Sequence, residues 1–206
     1  MQKHSKSSSK YEKLRKPLSR VLAIIFILFA FLTAPKGNGN QFHEILEFTG
    51  YSLLILAALG RIWCLIYISG RKDRELCTEG PYSLCRNPLY LFSFIGVIGF
   101  FAALQSISLC LIASSLYLVY YRGVIKSEEI RLQQLFGASC LTYFQSTPRF
   151  FPKWQRPSTL QSLIVAPRII ERGMREVVWF LLAIILIDGV EFMHEGGHMI
   201  LMRLPF

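Results

Sequence analysis

The chain has 206 residues, enough for one soluble domain or a small helical membrane bundle. Hydrophobic residues make up 52% of it and charged residues 17%, where an ordinary soluble domain carries about 25% charge, and the mean hydropathy is +0.39. This balance argues against a well-solvated soluble protein, so the net charge of +10 is read against lipid and membrane topology rather than nucleic acid.

The first 17 residues form a basic arm. Lys3, Lys6, Lys10, Lys13, Arg15 and Lys16 face a single Glu12, and the tract SKSSSK predicts a disordered start. The apolar run VLAIIFILFAFLTA that follows has the shape of a signal peptide. Leu32, three residues from a cut after Ala34, does not suit a small-residue cleavage site, so an uncleaved first helix is expected.

Apolar spans are predicted at 18–34, 47–68, 89–104, 107–122 and 177–193, giving an all-α polytopic transmembrane bundle of about five spans. The first, third and fourth are short for a crossing, which suits tilted or partly re-entrant helices. Leu104-Gln105-Ser106 leaves room only for a tight helical hairpin. The expected organisation is a basic arm at 1–17, a membrane core at 18–152, and an interfacial segment with a last transmembrane helix at 153–206. Within that last part, 157–176 reads equally as an interfacial amphipathic helix or a linker.

Loop charge gives an expected orientation. Segment 35–46 has Lys36 and Glu44, whereas 69–88 has Arg71, Lys72, Arg74 and Arg86, and 122–176 has nine Lys/Arg against four Glu. Positive loops stay in the cytosol, which puts the N-terminus, 69–88 and 122–176 on one cytosolic side and the C-terminus outside. The short first helix and short loops point to a bacterial inner membrane. Five cysteines (Cys64, Cys77, Cys85, Cys110 and Cys140) with no C-x-x-C pair are expected to be reduced thiols.

Arg61 is a charge inside the second span. It either faces the bundle interior, where it would neutralise an anionic group or brace Glu128 and Glu129, or snorkels to an interface. Further on, Gly80-Pro81 predicts a turn and Asn87-Pro88 a helix start after a break. Tyr82 and Tyr90 bracket Arg86, which precedes that helix N-terminus, a place suited to an anion. After the next span pair come Glu128 and Glu129, adjacent carboxylates that point to different sides of a helix. The plain alternative is an ordinary polar helix start.

Taken together, these segments resemble the integral-membrane methyltransferase family of isoprenylcysteine carboxyl methyltransferases and phospholipid N-methyltransferases. The family pattern is G-P-Y, then R-H-P-x-Y, a span pair, E-E, F-G, a Tyr and P-R-F/W-x-P. The matching positions are Gly80-Pro81-Tyr82, Arg86-Asn87-Pro88-Leu89-Tyr90, Glu128-Glu129, Phe136-Gly137, Tyr143 and Pro148-Arg149-Phe150-Phe151-Pro152. The resemblance covers about residues 50–152. It implies methyl transfer from S-adenosylmethionine, bound at the cytosolic face, to a membrane lipid or hydrophobic small-molecule acceptor that enters from the bilayer.

On that resemblance the cofactor-binding residues are Tyr82, Arg86, Asn87, Pro88, Tyr90, Glu128, Glu129 and Arg149, and the candidate catalytic residues are Arg86 and Arg61. Arg86 can fork onto the methionine carboxylate, and Glu128 or Glu129 can take its ammonium. Tyr82 and Tyr90 can pack on adenine or on the sulfonium. Asn87 stands where better-known members have His; it can donate and accept hydrogen bonds but cannot act as a base near pH 7.

The chain also contains His194-Glu195-Gly196-Gly197-His198, the H-E-x-x-H pattern of zinc proteases. A membrane-embedded zinc hydrolase is the alternative it raises. Two adjacent glycines weaken the helix that would carry it, and Asp188-Gly189 precedes the motif where an acidic ligand would be expected to follow. His43 is the other histidine expected on that side, and no metal site is expected in the methyltransferase reading.

Overall fold

The computed structural model describes residues 33–35, 41–160, 167–195 and 202–204. They form strand β1 (Thr33–Pro35), helices α1 (Gln41–Ile68), α2 (Pro81–Leu84), α3 (Pro88–Ala103), α4 (Ile107–Ser146) and α5 (Pro167–Glu195), and strand β2 (Met202–Leu204). The two strands pair in parallel, Thr33 opposite Met202 and Pro35 opposite Leu204. Apart from this short pair the regular elements of the described residues are all helices, joined by the connections 69–80, 85–87, 104–106 and 147–160.

The helix starts follow local chemistry. Pro88 and Pro167 open α3 and α5, where the missing N–H would find no helical partner anyway. Ser106 caps α4 by accepting from the Leu109 N–H at 3.4 Å. Leu104 to Ser106 make the tight hairpin expected between α3 and α4, and Gln105 reverses the chain there with φ 57°.

α1 and α3 pack closely through small residues. Gly50 on α1 meets Ala103 on α3, Gly99 on α3 meets the α1 backbone at Gly50 and Leu54, and Gly60 on α1 meets the Phe92 ring. A Cβ on Gly50 would lie 2.2 Å from the Ala103 backbone nitrogen, and one on Gly99 would lie 2.9 Å from both the Gly50 oxygen and the Leu54 nitrogen. Backbones this near exchange dispersion contacts that larger side chains would prevent. Leu54, Ala103 and Ile187 form the buried centre, which brings α5 onto the same core.

α5 runs antiparallel to α1. The Tyr51 hydroxyl donates to Asp188 Oδ1 at 2.6 Å, the Arg61 guanidinium lies 5.8 Å from the Phe180 ring centroid, and Gly173 abuts Leu65. One end of the bundle therefore holds 41–47 and the 104–106 hairpin, where Gln105 Nε2 donates to Glu47 at 3.1 Å. The other end gathers 69–87, the second half of α4 and 147–160.

Among the described residues two helices, α1 and α4, are long and apolar enough to cross a membrane; α3 is apolar but has only 16 residues. Much of their apolar surface faces outward, including Phe48, Leu59, Leu111 and Val119, as lipid contact requires. α5 does not meet the same test.

Several expected boundaries change. The span predicted at 107–122 is the first part of a 40-residue helix, because nothing between Gly123 and Phe136 breaks it and Lys, Glu, Arg, Leu and Gln there are good helix formers. Glu128 and Glu129 accordingly lie in mid-helix and not in a first turn. The helix bends only at Gly137, whose φ of 54° and ψ of −125° are open to glycine alone. The last helix begins at Pro167, so 167–176 is part of it rather than a separate interfacial piece. Residues 18–32 of the predicted first span lie outside the described residues, and 33–35 are extended.

Candidate functional site

The site lies at the end of the bundle where the 69–87 connection meets α4. Arg71 ties this connection together through Glu75 at 2.9 Å and Glu79 at 2.8 Å, and Asp73 pairs with Arg131 on α4. Burial pushes the Glu79 carboxyl up, but Arg71 and Thr78 outweigh it and hold the group below its ordinary value. Gly80 turns the chain with φ 59°, and a Cβ there would strike the Tyr67 ring at 2.5 Å.

Arg86 and Asn87 follow, just before α3. The Arg86 side chain reaches Glu129 on α4, Nη1 to Oε1 at 3.1 Å, with the two side chains 14% and 8% exposed. Arg149 closes on the same carboxylate from the far side. Its Nη2 lies 2.8 Å from Oε2, and its Nε donates to Oε1 and Oε2 at 3.2 and 3.1 Å. One buried carboxylate thus serves two guanidiniums, leaving an excess of positive charge. The Arg86 Nε is buried and has no hydrogen-bond partner among the described residues, and the guanidinium lies 4.5 Å from the Phe144 ring centroid.

Glu128 points to the other side of α4, as adjacent helical residues must. It accepts from the Tyr90 hydroxyl at 2.7 Å. Tyr90 packs on Tyr121 at 5.2 Å between ring centroids, Tyr121 stacks on Tyr117 at 4.1 Å, and the Tyr117 hydroxyl donates to the Tyr90 carbonyl at 2.9 Å. An aromatic wall therefore runs from the carboxylate into the bundle. Phe94 continues it, touching both Tyr117 and Phe150.

Asn87 is buried, and its Nδ2 donates to the Arg149 carbonyl at 2.9 Å while the Arg86 N–H donates to Pro148 O at 2.9 Å. The amide at the position of the expected histidine is therefore a clamp on the segment that delivers Arg149. Pro88 is fully buried at the first position of α3. Arg61 donates to Ser93 Oγ and faces Phe180, so it joins α1, α3 and α5 in the bundle interior.

Tyr82 turns inward. It packs with Cys64 and Cys77 against Tyr67, Leu89 and Phe92, its carbonyl accepts from the Tyr143 hydroxyl at 2.7 Å, and its own hydroxyl is buried with no partner among the described residues. Burial first, then Cys64, Cys77 and Glu128, raise its phenol well above the ordinary value, so it stays protonated at any physiological pH. The ring beside Arg86 is that of Phe144, which the sequence reading missed; its place next to Tyr143 and just before Pro148-Arg149 was the available signal.

The described cysteines are all free thiols. Burial pushes Cys77 and Cys85 up to about 11. At pH 8 their thiolate fraction should be roughly a hundredfold below that of an ordinary exposed thiol. We expect maleimide at pH 8 to label them only on unfolding; fast labelling of Cys85 in folded protein at pH 8 would contradict this burial. The HEGGH motif lies partly outside the described residues: 196–198 are not among them, nor are the side chains of His194 and Glu195. Among the described residues no group of three His, Cys, Asp or Glu is arranged to hold a metal ion.

Residues 46–139 match the phospholipid methyltransferase family. A cobalt-zinc-cadmium resistance protein of Cupriavidus metallidurans, CzcN, is 30% identical over 177 residues, which is 85% of this chain and 82% of that protein. This chain belongs to the phospholipid methyltransferase family. A nickel-cobalt-cadmium resistance protein of Alcaligenes xylosoxydans xylosoxydans, NccN, is 39% identical over 136 residues, 66% of this chain; the alignment spans 63% of NccN. No solved structure matches. The family match takes in Arg61, Arg86, Asn87, Tyr90, Glu128 and Glu129, while Arg149 lies beyond it and reaches the same carboxylate from outside.

Proposed function

We propose that this chain transfers a methyl group from S-adenosylmethionine to a lipid-like or hydrophobic acceptor at the cytosolic face of a bacterial inner membrane. The observation that carries the reading is Glu129 held between Arg86 and Arg149, with the Arg86 Nε buried and lacking a partner among the described residues. A buried donor on an excess cation suits a carboxylate, the charged end of the cofactor's methionine. Glu128 on the Tyr90 hydroxyl suits the nearby ammonium, and Tyr90, Tyr121 and Phe144 offer ring faces to adenine or sulfonium. These residues fit the cofactor, which when bound supplies an electrophilic methyl group.

The protein's own task is then to bind, align and exclude water. Arg86 and Glu129 hold position because Arg149 and Asn87 lock the 147–150 segment over them. Asn87 works here as a hydrogen-bond donor, so the acceptor needs no base from that position. Arg61, which reaches Ser93 on α3 and the Phe180 ring on α5, is suited to the anionic part of an acceptor. The loop charges at 69–88 support the cytosolic placement. The core at 18–152 carries the reaction, with 1–17 and 153–206 flanking it. The names of the two relatives extend the proposal to a biological setting, in which the methylation contributes to resistance to divalent metals such as cobalt and cadmium.

The test is transfer of labelled methyl from S-adenosylmethionine to bacterial polar lipid extract by protein in nanodiscs. We expect label in the organic phase, at least about 100-fold less with Arg86→Ala or Glu128→Gln, and no effect of a metal chelator. Absence of label with wild-type protein, or hydrolysis abolished by the chelator, would overturn the reading.

A further inference from the structure

The segment from Thr147 to Ser158 crosses the site end of the bundle as an irregular strap with several bends. Pro148, Pro152 and Pro157 keep it from becoming helix. Its backbone is tied to the 80–87 connection in antiparallel order. The Arg86 N–H donates to Pro148 O and the Lys153 N–H to Leu84 O, each at 2.9 Å, and the Gly80 N–H donates to Ser158 O at 2.7 Å.

The strap has two unlike sides. Inward, Arg149 grips Glu129 and Phe150 packs on Phe94. Outward, Phe151 is 73% exposed and Trp154 is fully exposed. Arg149, Lys153 and Arg156 are the charged residues of 147–158, and none is acidic. A Phe and a Trp held in water on a fixed backbone call for a cover.

Two observations choose the cover. The Asn87 amide holds the Arg149 carbonyl immediately before Pro88, the first residue of apolar α3. The strap therefore lies at the depth where α3 enters the apolar layer. Its other two cations, Lys153 and Arg156, also complement anionic headgroups, and Trp is the side chain most at home at such a boundary.

We propose that the 147–158 strap is a membrane-interface anchor, with Phe151 and Trp154 seated in the headgroup–acyl boundary of an anionic bilayer beside the mouth of the site. The proposal rests on this end of the bundle lying at a membrane face. Seated there, the strap sets the site opening at the lipid boundary, with Arg149 on its inner side.

The test places the full chain, with Trp63→Phe and Trp179→Phe, in nanodiscs that contain phosphatidylglycerol, leaving Trp154 as the single tryptophan. We expect blue-shifted emission, quenched at least about twofold more by acyl chains brominated near the headgroup than by chains brominated at the end. Emission typical of water and untouched by bromine would overturn the anchor. Emission shielded from water yet untouched by bromine would also overturn it, in favour of a second copy or a protein partner. If the double variant does not fold, the spectrum lost on Trp154→Phe in otherwise native protein reads the same quantity. Calorimetry with S-adenosylmethionine on the same sample separates the two claims: failure to bind the cofactor would remove the methyl-transfer reading, while the quenching alone decides the anchor.

Discussion

Glu129→Gln is expected to weaken S-adenosylmethionine binding at least about 100-fold and to lower stability by about 3–5 kcal/mol, the range for breaking one side of a buried ion pair. Glutamine keeps the shape of the side chain but removes the charge that two guanidiniums share. Arg86, only 14% exposed, would be left with a buried unpaired cation. Arg149 has 54% of its side chain exposed and can turn to water, so Arg149→Gln should cost stability by less than about 1 kcal/mol. Thermal unfolding and calorimetry of the two variants together give the asymmetry. Equal effects from both would mean that Arg86 does not depend on Glu129.

The second large effect is structural. Gly50→Val is expected to destabilise the bundle by about 3 kcal/mol or to prevent recovery of folded protein. The first added carbon would meet the Ala103 backbone nitrogen at 2.2 Å, an atom that no side-chain rotation can move. α1 and α3 would have to separate, and α3 carries Asn87, Pro88 and Tyr90 at its start. Gly123→Ala is the control. It lies in α4 with open space around it, and alanine should stabilise the helix by about 0.5–1 kcal/mol. A variant at Gly50 that unfolds like wild type would show that the close approach of α1 and α3 is not required.

The parts of the fold legible in the sequence are those written in local chemistry. Asn87-Pro88 announces the start of α3, Leu104-Gln105-Ser106 the hairpin, and the adjacency of Glu128 and Glu129 their divergence to Tyr90 and Arg86. The length of α4 was hidden because apolar periodicity fades after Tyr121 while helix propensity persists to Phe136. The inward turn of Tyr82 was hidden because the motif gives its spacing from Arg86 but not the cysteine-lined core that receives it. The strap was hidden for a further reason: three of its hydrogen bonds to 80–87 join backbone atoms more than 60 residues apart, and such bonds leave no mark on side-chain identity.

The arrangement also orders the residues by task. Glu129 and Glu128 leave α4 on different sides, one to Arg86 and the other to the Tyr90 hydroxyl, and Glu129 and Tyr90 each have a further partner, Arg149 and Tyr121. Asn87 and Arg149 hold the cover, and Gly137 bends α4 so that Tyr143 and Pro148 return to it.

The most direct test is calorimetric titration of S-adenosylmethionine into wild-type protein and Arg86→Ala in nanodiscs, with chelator present. The account predicts saturable binding to wild type at about one cofactor per chain and a loss of at least about 30-fold in affinity on removing the guanidinium. No binding to wild type, or binding that Arg86→Ala leaves unchanged, would contradict it.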